Sequence, residues 1–355
     1  MKKIKNIAIV VFIISILFTS CSDDDAPVIQ TDYSKYLSSI TLNVILKNYE
    51  NLALASTNMV VKSDALTIGD DTALKEAQDA WRKMRVYWEN SEAVLFGPAG
   101  DEGLGVDGNT DAWPIDLAFV NNVLGGSDQI TINFIAQQDA NAKGYHALEY
   151  LLWGIEGNKK ASDLTAREIE YVKAASGYLN QQTKALYDAW NPSKTNFAAN
   201  FTNAENGLYR SQIAALIQLV DGMITIADEV GNGKLNEPMY GNNGSFALES
   251  EESRFSHNSK ADFADNIRGI KYMYSGDYLT NLGVGFSELV AINNSALDTK
   301  IKNQIDQAIQ SIEAIPGTFT SAVQNHRSEV EKAIKEVLDV FNVLSSELKP
   351  YIQNL

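Results

Sequence analysis

From about residue 33 to its C-terminal end, the chain repeats its apolar residues every three or four positions, with no comparable stretch of strict alternation. That period leaves helices as the elements that can bury them. Across 71–96 the series is Leu74, Ala77, Trp81, Met84, Trp88 and Leu95; across 203–230 it is Ile213, Leu216, Val220, Met223, Ala227 and Val230. Leu297, Ile301, Ile305, Ala308 and Ile312 mark another helix, and residues from Phe319 to Leu348 mark a long last one, with Pro316-Gly317 as the turn between them. The expectation is an all-α protein with two helical-bundle domains packed side by side. They would span 33–160 and 161–355, arranged about a middle helix at 163–190.

The first residues read differently. Lys2, Lys3 and Lys5 precede an apolar run from Ile7 to Phe18, and Thr19-Ser20 lead into Cys21. These are the parts of a signal peptide over 1–20, with Cys21 as the lipidated residue of a bacterial lipoprotein. An acidic tether over 21–32 follows and resembles the export signal of surface lipoproteins. Expected, then, is a chain lipid-anchored to the outer membrane and surface-exposed, with a periplasm-facing orientation as the alternative.

Composition excludes several functions. With 45 Asp+Glu against 29 Lys+Arg and a net charge of -16, nucleic acid is not an expected partner. One cysteine allows neither an internal disulfide nor a thiolate zinc site. No G-x-S-x-G, phosphate-binding glycine loop or H-E-x-x-H is present. Two long irregular stretches, Gly97 to Ala112 and Gly231 to Lys260, are of a length that is usually functional or disordered rather than a plain connector. An EF-hand reading of Asp107, Asn109 and Asp111 fails, because Ala112 and Ala118 stand where Gly and Glu are required.

Candidate chemistry gathers on a few helices. His146 and Glu149 are three residues apart on a short, apolar helix, a spacing that serves either a shared metal ion or an ion pair. Trp81, Arg85, Trp88 and Glu92 form one stripe, which places a cation and a carboxylate beside two tryptophans. Buried there, they would pair with each other, or Glu92 would ligate metal with Arg85 supporting it. Asp111 reads as a helix cap, and Asp116 as either a cap or an oxygen ligand. Ser253, Arg254 and Ser256 form a polar cluster before a helix; His257 reads as exposed and His326 as an interior residue on the last helix.

Together these segments resemble the imelysin family: Gly144-x-His146-x-x-Glu149 extended by Leu151-Leu152-Trp153-Gly154, Ser91-Glu92 before Phe96-Gly97-Pro98, Trp113-Pro114-x-Asp116, and Ser253-Arg254-Phe255-Ser256. His257 departs from the pattern. The resemblance implies two bundle-like domains with a site between them. Imelysins were classed as metallopeptidases, while related domains occur in iron-uptake lipoproteins. One histidine and one glutamate fall short of a hydrolytic zinc site, so iron is the expected ligand, with zinc and a metallopeptidase as the alternative. The expected metal ligands are His146, Glu149, Glu92 and Asp116, supported by Arg85, Arg254, Ser253 and Ser256, and the expected partner is an iron transport system. An adhesion or scaffold module with a purely structural polar cluster is the third reading.

Overall fold

The computed structural model describes residues 31–205, 208–241 and 243–355. The signal peptide, Cys21 and nearly all of the tether lie outside the described residues.

Several helices begin where short polar side chains satisfy free backbone N–H groups. Asp70 accepts from Thr72 N and Ala73 N at 3.0 Å each, and Thr165 forms a reciprocal cap with Glu168. The principal helices, in chain order, are α1 (Leu46–Asp64), α2 (Asp71–Ser91), α3 (Tyr145–Trp153), α4 (Ala166–Trp190), α5 (Gln212–Asp228), α6 (Ser259–Ser275), α7 (Ser295–Glu313) and α8 (Arg327–Val343). No strand occurs among the described residues. The all-α expectation holds.

Two groups of helices form around the apolar stripes read from the sequence. In the first, α1 packs on α2 and α4, and α3 fits against α2 and α4; in the second, α6, α7, α8 and α5 pack in turn. Small hydroxyls let α1 and α4 approach closely: Ser56 meets Thr183 at 2.6 Å and Ser63 meets Ser176 at 2.7 Å, all buried. By its packing α4 therefore stands with the first group, beyond the boundary expected at 160/161. Residues 33–355 hold together as one compact unit.

Contact between the groups runs chiefly through α2 and α6. At Gly269 of α6, a Cβ would meet the Asn90 carbonyl oxygen at 2.4 Å, so only a bare Cα permits that approach. The long helix expected from Phe319 onward is interrupted at His326. There the backbone turns to φ -133°, ψ 48° between Phe319–Asn325 and Arg327–Val343, and the apolar period resumes after the break. His326 is half-buried rather than a core residue.

Candidate metal centre

Where α2 and α6 meet, the end of α2 carries Arg85, Glu89 and, just past it, Glu92, all buried. Helix α3 faces them with His146 and Glu149, which are likewise buried. Its start is fixed by Gly144, at φ +85°, whose missing Cβ would lie 2.0 Å from the Thr110 carbonyl oxygen. That contact sets the backbone of Thr110 against the His146 helix and so delivers the next residue, Asp111, to the ring.

The two nitrogens of His146 have different surroundings. Nδ1 lies 3.1 Å from Glu149 Oε2, while Glu149 Oε1 accepts from Ser256 N at 2.7 Å and Ser256 Oγ at 2.8 Å. Glu149 is thereby committed to orienting the imidazole. Nε2 lies 3.2 Å from Asp111 Oδ1 and 3.5 Å from Glu252 Oε1, yet no hydrogen bond of acceptable geometry reaches it. A buried ring nitrogen so placed has the position of a metal ligand, its other nitrogen held by a carboxylate.

Carboxylates crowd the rest of the centre. Arg85 pairs with Glu89, with Asp111, with Glu252 at 2.8 Å and with Asp262 at 3.2 Å. Lys234 lies 2.8 Å from Glu92 and 3.2 Å from Glu252. Asn266 donates to Glu89 at 2.7 Å and to Glu92 at 2.8 Å, and Trp88 Nε1 donates to Asp111 at 2.5 Å. Glu89, Glu92, Asp111, Glu149, Glu252 and Asp262 thus outnumber the fixed cations Arg85 and Lys234.

Their protonation reflects that imbalance. Burial pushes Glu92 well above the usual carboxylate range, against the pull of Lys234. Burial also acts to raise Asp111 and Glu252, but Arg85 and His146 hold Asp111 well below its ordinary value, and Lys234 and His146 bring Glu252 down to about 2. Burial disfavours the His146 cation, yet the carboxylates of Asp111, Glu149 and Glu252 around the ring raise it well above an ordinary histidine. A cation binding at Nε2 would replace a proton carried there.

The oxygens of Asp111 and Glu252 converge with the ring nitrogen of His146 to within 4.8 Å of one another. Hard oxygens with one imidazole suit a first-row divalent ion. Above them Trp113 lies edge-on to His146, with centroids 4.9 Å apart, and against Phe255 at 5.5 Å; its Nε1 donates to the Glu249 carbonyl at 3.0 Å. The segment supplying Glu252 is strained, since Ser253 (φ 55°) and His257 (φ 57°) both adopt left-handed backbone.

Of the residues singled out from sequence, the structure gathers His146, Glu149, Glu92, Arg85, Ser253 and Ser256 at this centre. Ser253 donates to Asp262. Asp116 is elsewhere: exposed, it caps Leu117–Gly125 by accepting from Phe119 N at 2.9 Å. Arg254 bonds the Leu248 carbonyl at 3.2 Å and stands off the cluster. His257 is exposed, as read. Asp111, read as a cap, instead binds Arg85 and Trp88 and faces His146. Glu89, Lys234, Glu252, Asp262 and Asn266 were not foreseen; Glu89 had the signal of standing four residues after Arg85.

A family model described as Imelysin matches residues 45–345. Iron-regulated protein A of Synechococcus elongatus is 23% identical over 353 residues, covering 96% of this chain and 91% of that protein. The crystal structure of a putative iron-regulated protein A precursor from Parabacteroides distasonis superposes with a TM-score of 0.79 at 25% identity, over 88% of this chain and 93% of that one. An imelysin-like protein from Psychrobacter arcticum shares the fold, with a TM-score of 0.70 at 14% identity over 90% of this chain and 95% of that one.

Proposed function

The chain belongs to the imelysin family, and from that premise we propose that it binds iron at His146, Asp111 and Glu252 and assists iron uptake. The observation that carries this reading is the buried, unpartnered Nε2 of His146, aimed between two carboxylates while Glu149 holds the opposite side of the ring. The excess of buried carboxylates supports it, because charge of one sign in a protein interior is stabilised by an opposite charge. The names borne by the relatives in Synechococcus elongatus and Parabacteroides distasonis agree with an iron-related role.

Uptake fits better than peptide hydrolysis. A hydrolytic ion needs an open coordination position and room for a polypeptide beside it. Here Trp113 packs on His146 with Phe255 against it, and Arg85 and Lys234 engage the carboxylates. A site this enclosed suits capture of a small ion.

Lipidation at Cys21 would tether the chain to the outer membrane, where an iron transport system would receive the ion. Metabolic labelling with a fatty acid, compared with Cys21→Ser, tests the anchor.

The site itself is tested by elemental analysis and calorimetry on the chain starting after Cys21, with ferrous, ferric and zinc ions. Iron bound near one per chain, and lost in His146→Ala and Glu252→Gln with folding intact, is the expected result. Folded protein that takes up none of the three ions would refute the reading.

A further inference from the structure

The same centre contains a second converging group. Ligand oxygens of Glu89, Glu92 and Asp111 lie within 4.8 Å of one another, so Asp111 belongs to both this group and the one with His146. Against the second group stands an ammonium. Lys234 Nζ lies 2.8 Å from Glu92, 3.2 Å from Glu252, 3.6 Å from Glu89 and 3.8 Å from Glu229.

Such surroundings are unusual for lysine. Its long side chain ordinarily runs along the surface with the charge in water, whereas here it is 6% exposed and its charge is surrounded by carboxylates. The backbone is built to put it there. Lys234 closes the π-helical turn Glu229–Lys234 at the end of α5, a local widening of the helix of the kind that often marks function. Gly231 within that turn fits against α8, where a Cβ would meet Leu338 at 2.7 Å.

Independent signs of a further ligand are present. Tyr145 Oη is buried without a hydrogen-bond partner and lies in the field of Asp111, Arg85 and Glu92. Asn266 Oδ1 is also buried and unpartnered, on the side chain whose nitrogen serves Glu89 and Glu92. The Asn266 oxygen stands beside a carboxylate group whose cations are Lys234 at Glu92 and Arg85 at Glu89 and Asp111.

We propose that Lys234 is a resident cation that occupies the Glu92 side of the Glu89, Glu92 and Asp111 group, whose other two members Arg85 already pairs, and so limits the centre to one metal ion. Without the ammonium, that group takes a second divalent cation of the manganous or ferrous type. The inference rests on the reading of His146 as a metal ligand and adds what sets the number of ions. An ammonium is fixed in charge, size and position by its covalent stem, so it neutralises the carboxylates without accepting water or exchanging.

The test is bound manganese and iron per chain in the wild type, Lys234→Met and the double variant Glu92→Gln/Lys234→Met, with electron paramagnetic resonance of the manganous forms. Expected are one ion in the wild type, two in Lys234→Met with spin coupling between them through the shared Asp111 carboxylate, and one again in the double variant. One uncoupled ion in folded Lys234→Met overturns the proposal. If Lys234→Met folds only when manganous ion is supplied, two ions per rescued chain support it, and failure of the ion to rescue overturns it. No ion in the wild type but one in Lys234→Met, lost again in the double variant, would uphold Lys234 as the resident cation while refuting the His146 reading.

Discussion

Glu149 Oε2 lies 3.1 Å from His146 Nδ1, and this single contact determines which ring nitrogen faces the acidic centre. With Glu149 Oε1 tied to Ser256, both carboxylate oxygens are engaged. On the proposed iron reading, the sequence motif that joins the two residues supplies one ligand and its orienting partner.

Glu149→Gln should accordingly weaken metal binding while leaving it measurable. Loss of an orienting carboxylate typically costs 10–100-fold in affinity. Glu252→Gln, which removes an oxygen facing Nε2, should cost more. Calorimetric titration of both variants with ferrous ion checks the order; equal losses would return Glu149 to the ligand set.

Arg85 anchors the charge balance, pairing with Glu89, Asp111, Glu252 and Asp262 while itself fully buried. Arg85→Met removes the cation and leaves the carboxylates facing one another. Breaking a buried pair from one side costs about 3–5 kcal/mol. A denaturant titration should show that loss, and saturating ferrous ion should recover part of it by stabilising the folded state. A variant with unchanged stability in the absence of metal would show that the carboxylates do not need Arg85.

How much of this was legible beforehand depended on periodicity. Helices such as α2 and α7 declared themselves because a 3.6-residue repeat fixes which side chains face inward, and that repeat brought Arg85, Glu92, His146 and Glu149 into view. Asp111, Lys234 and Glu252 come from segments with no regular repeat, where nothing in the order of residues states where a side chain points. The signal they left was length: the stretches 97–112 and 231–260 were too long for plain connectors, and both deliver a residue to the centre. His326 shows the reverse error. The apolar spacing runs on across a sharp backbone turn, so a stripe alone suggested one helix where there are two.

Gly144→Ala should damage the centre from a distance. The substitution places a Cβ 2.0 Å from the Thr110 carbonyl in a left-handed conformation. Left-handed strain alone costs on the order of 1–3 kcal/mol, and relief requires α3 or Thr110 to move, which separates Asp111 from His146. Both the unfolding midpoint and the metal affinity should fall. A loss of stability with affinity unchanged would mean that Asp111 does not depend on this contact.

Asp265 gives a pH prediction away from the metal ligands. Burial raises its carboxyl to about 6, with Arg268, 2.5 Å away, acting in the opposite direction. Between the ordinary value of 3.8 and about 6, the folded chain keeps a proton that the unfolded chain has released, so this residue makes stability fall as pH rises through that window. Above the window the cost is constant. Asp265→Asn is neutral in both states and lacks the effect, so its stability relative to the wild type should rise between pH 4 and 6 and then level off. At roughly 1.4 kcal/mol per unit, the full difference is on the order of 3 kcal/mol, less whatever the lost pairing with Arg268 contributes. Parallel urea titrations at pH 4, 5, 6 and 7 read the difference directly, which cancels titrations common to both proteins. A constant offset across that range would show that Asp265 is ionised in the folded chain and that Arg268, not burial, decides its state.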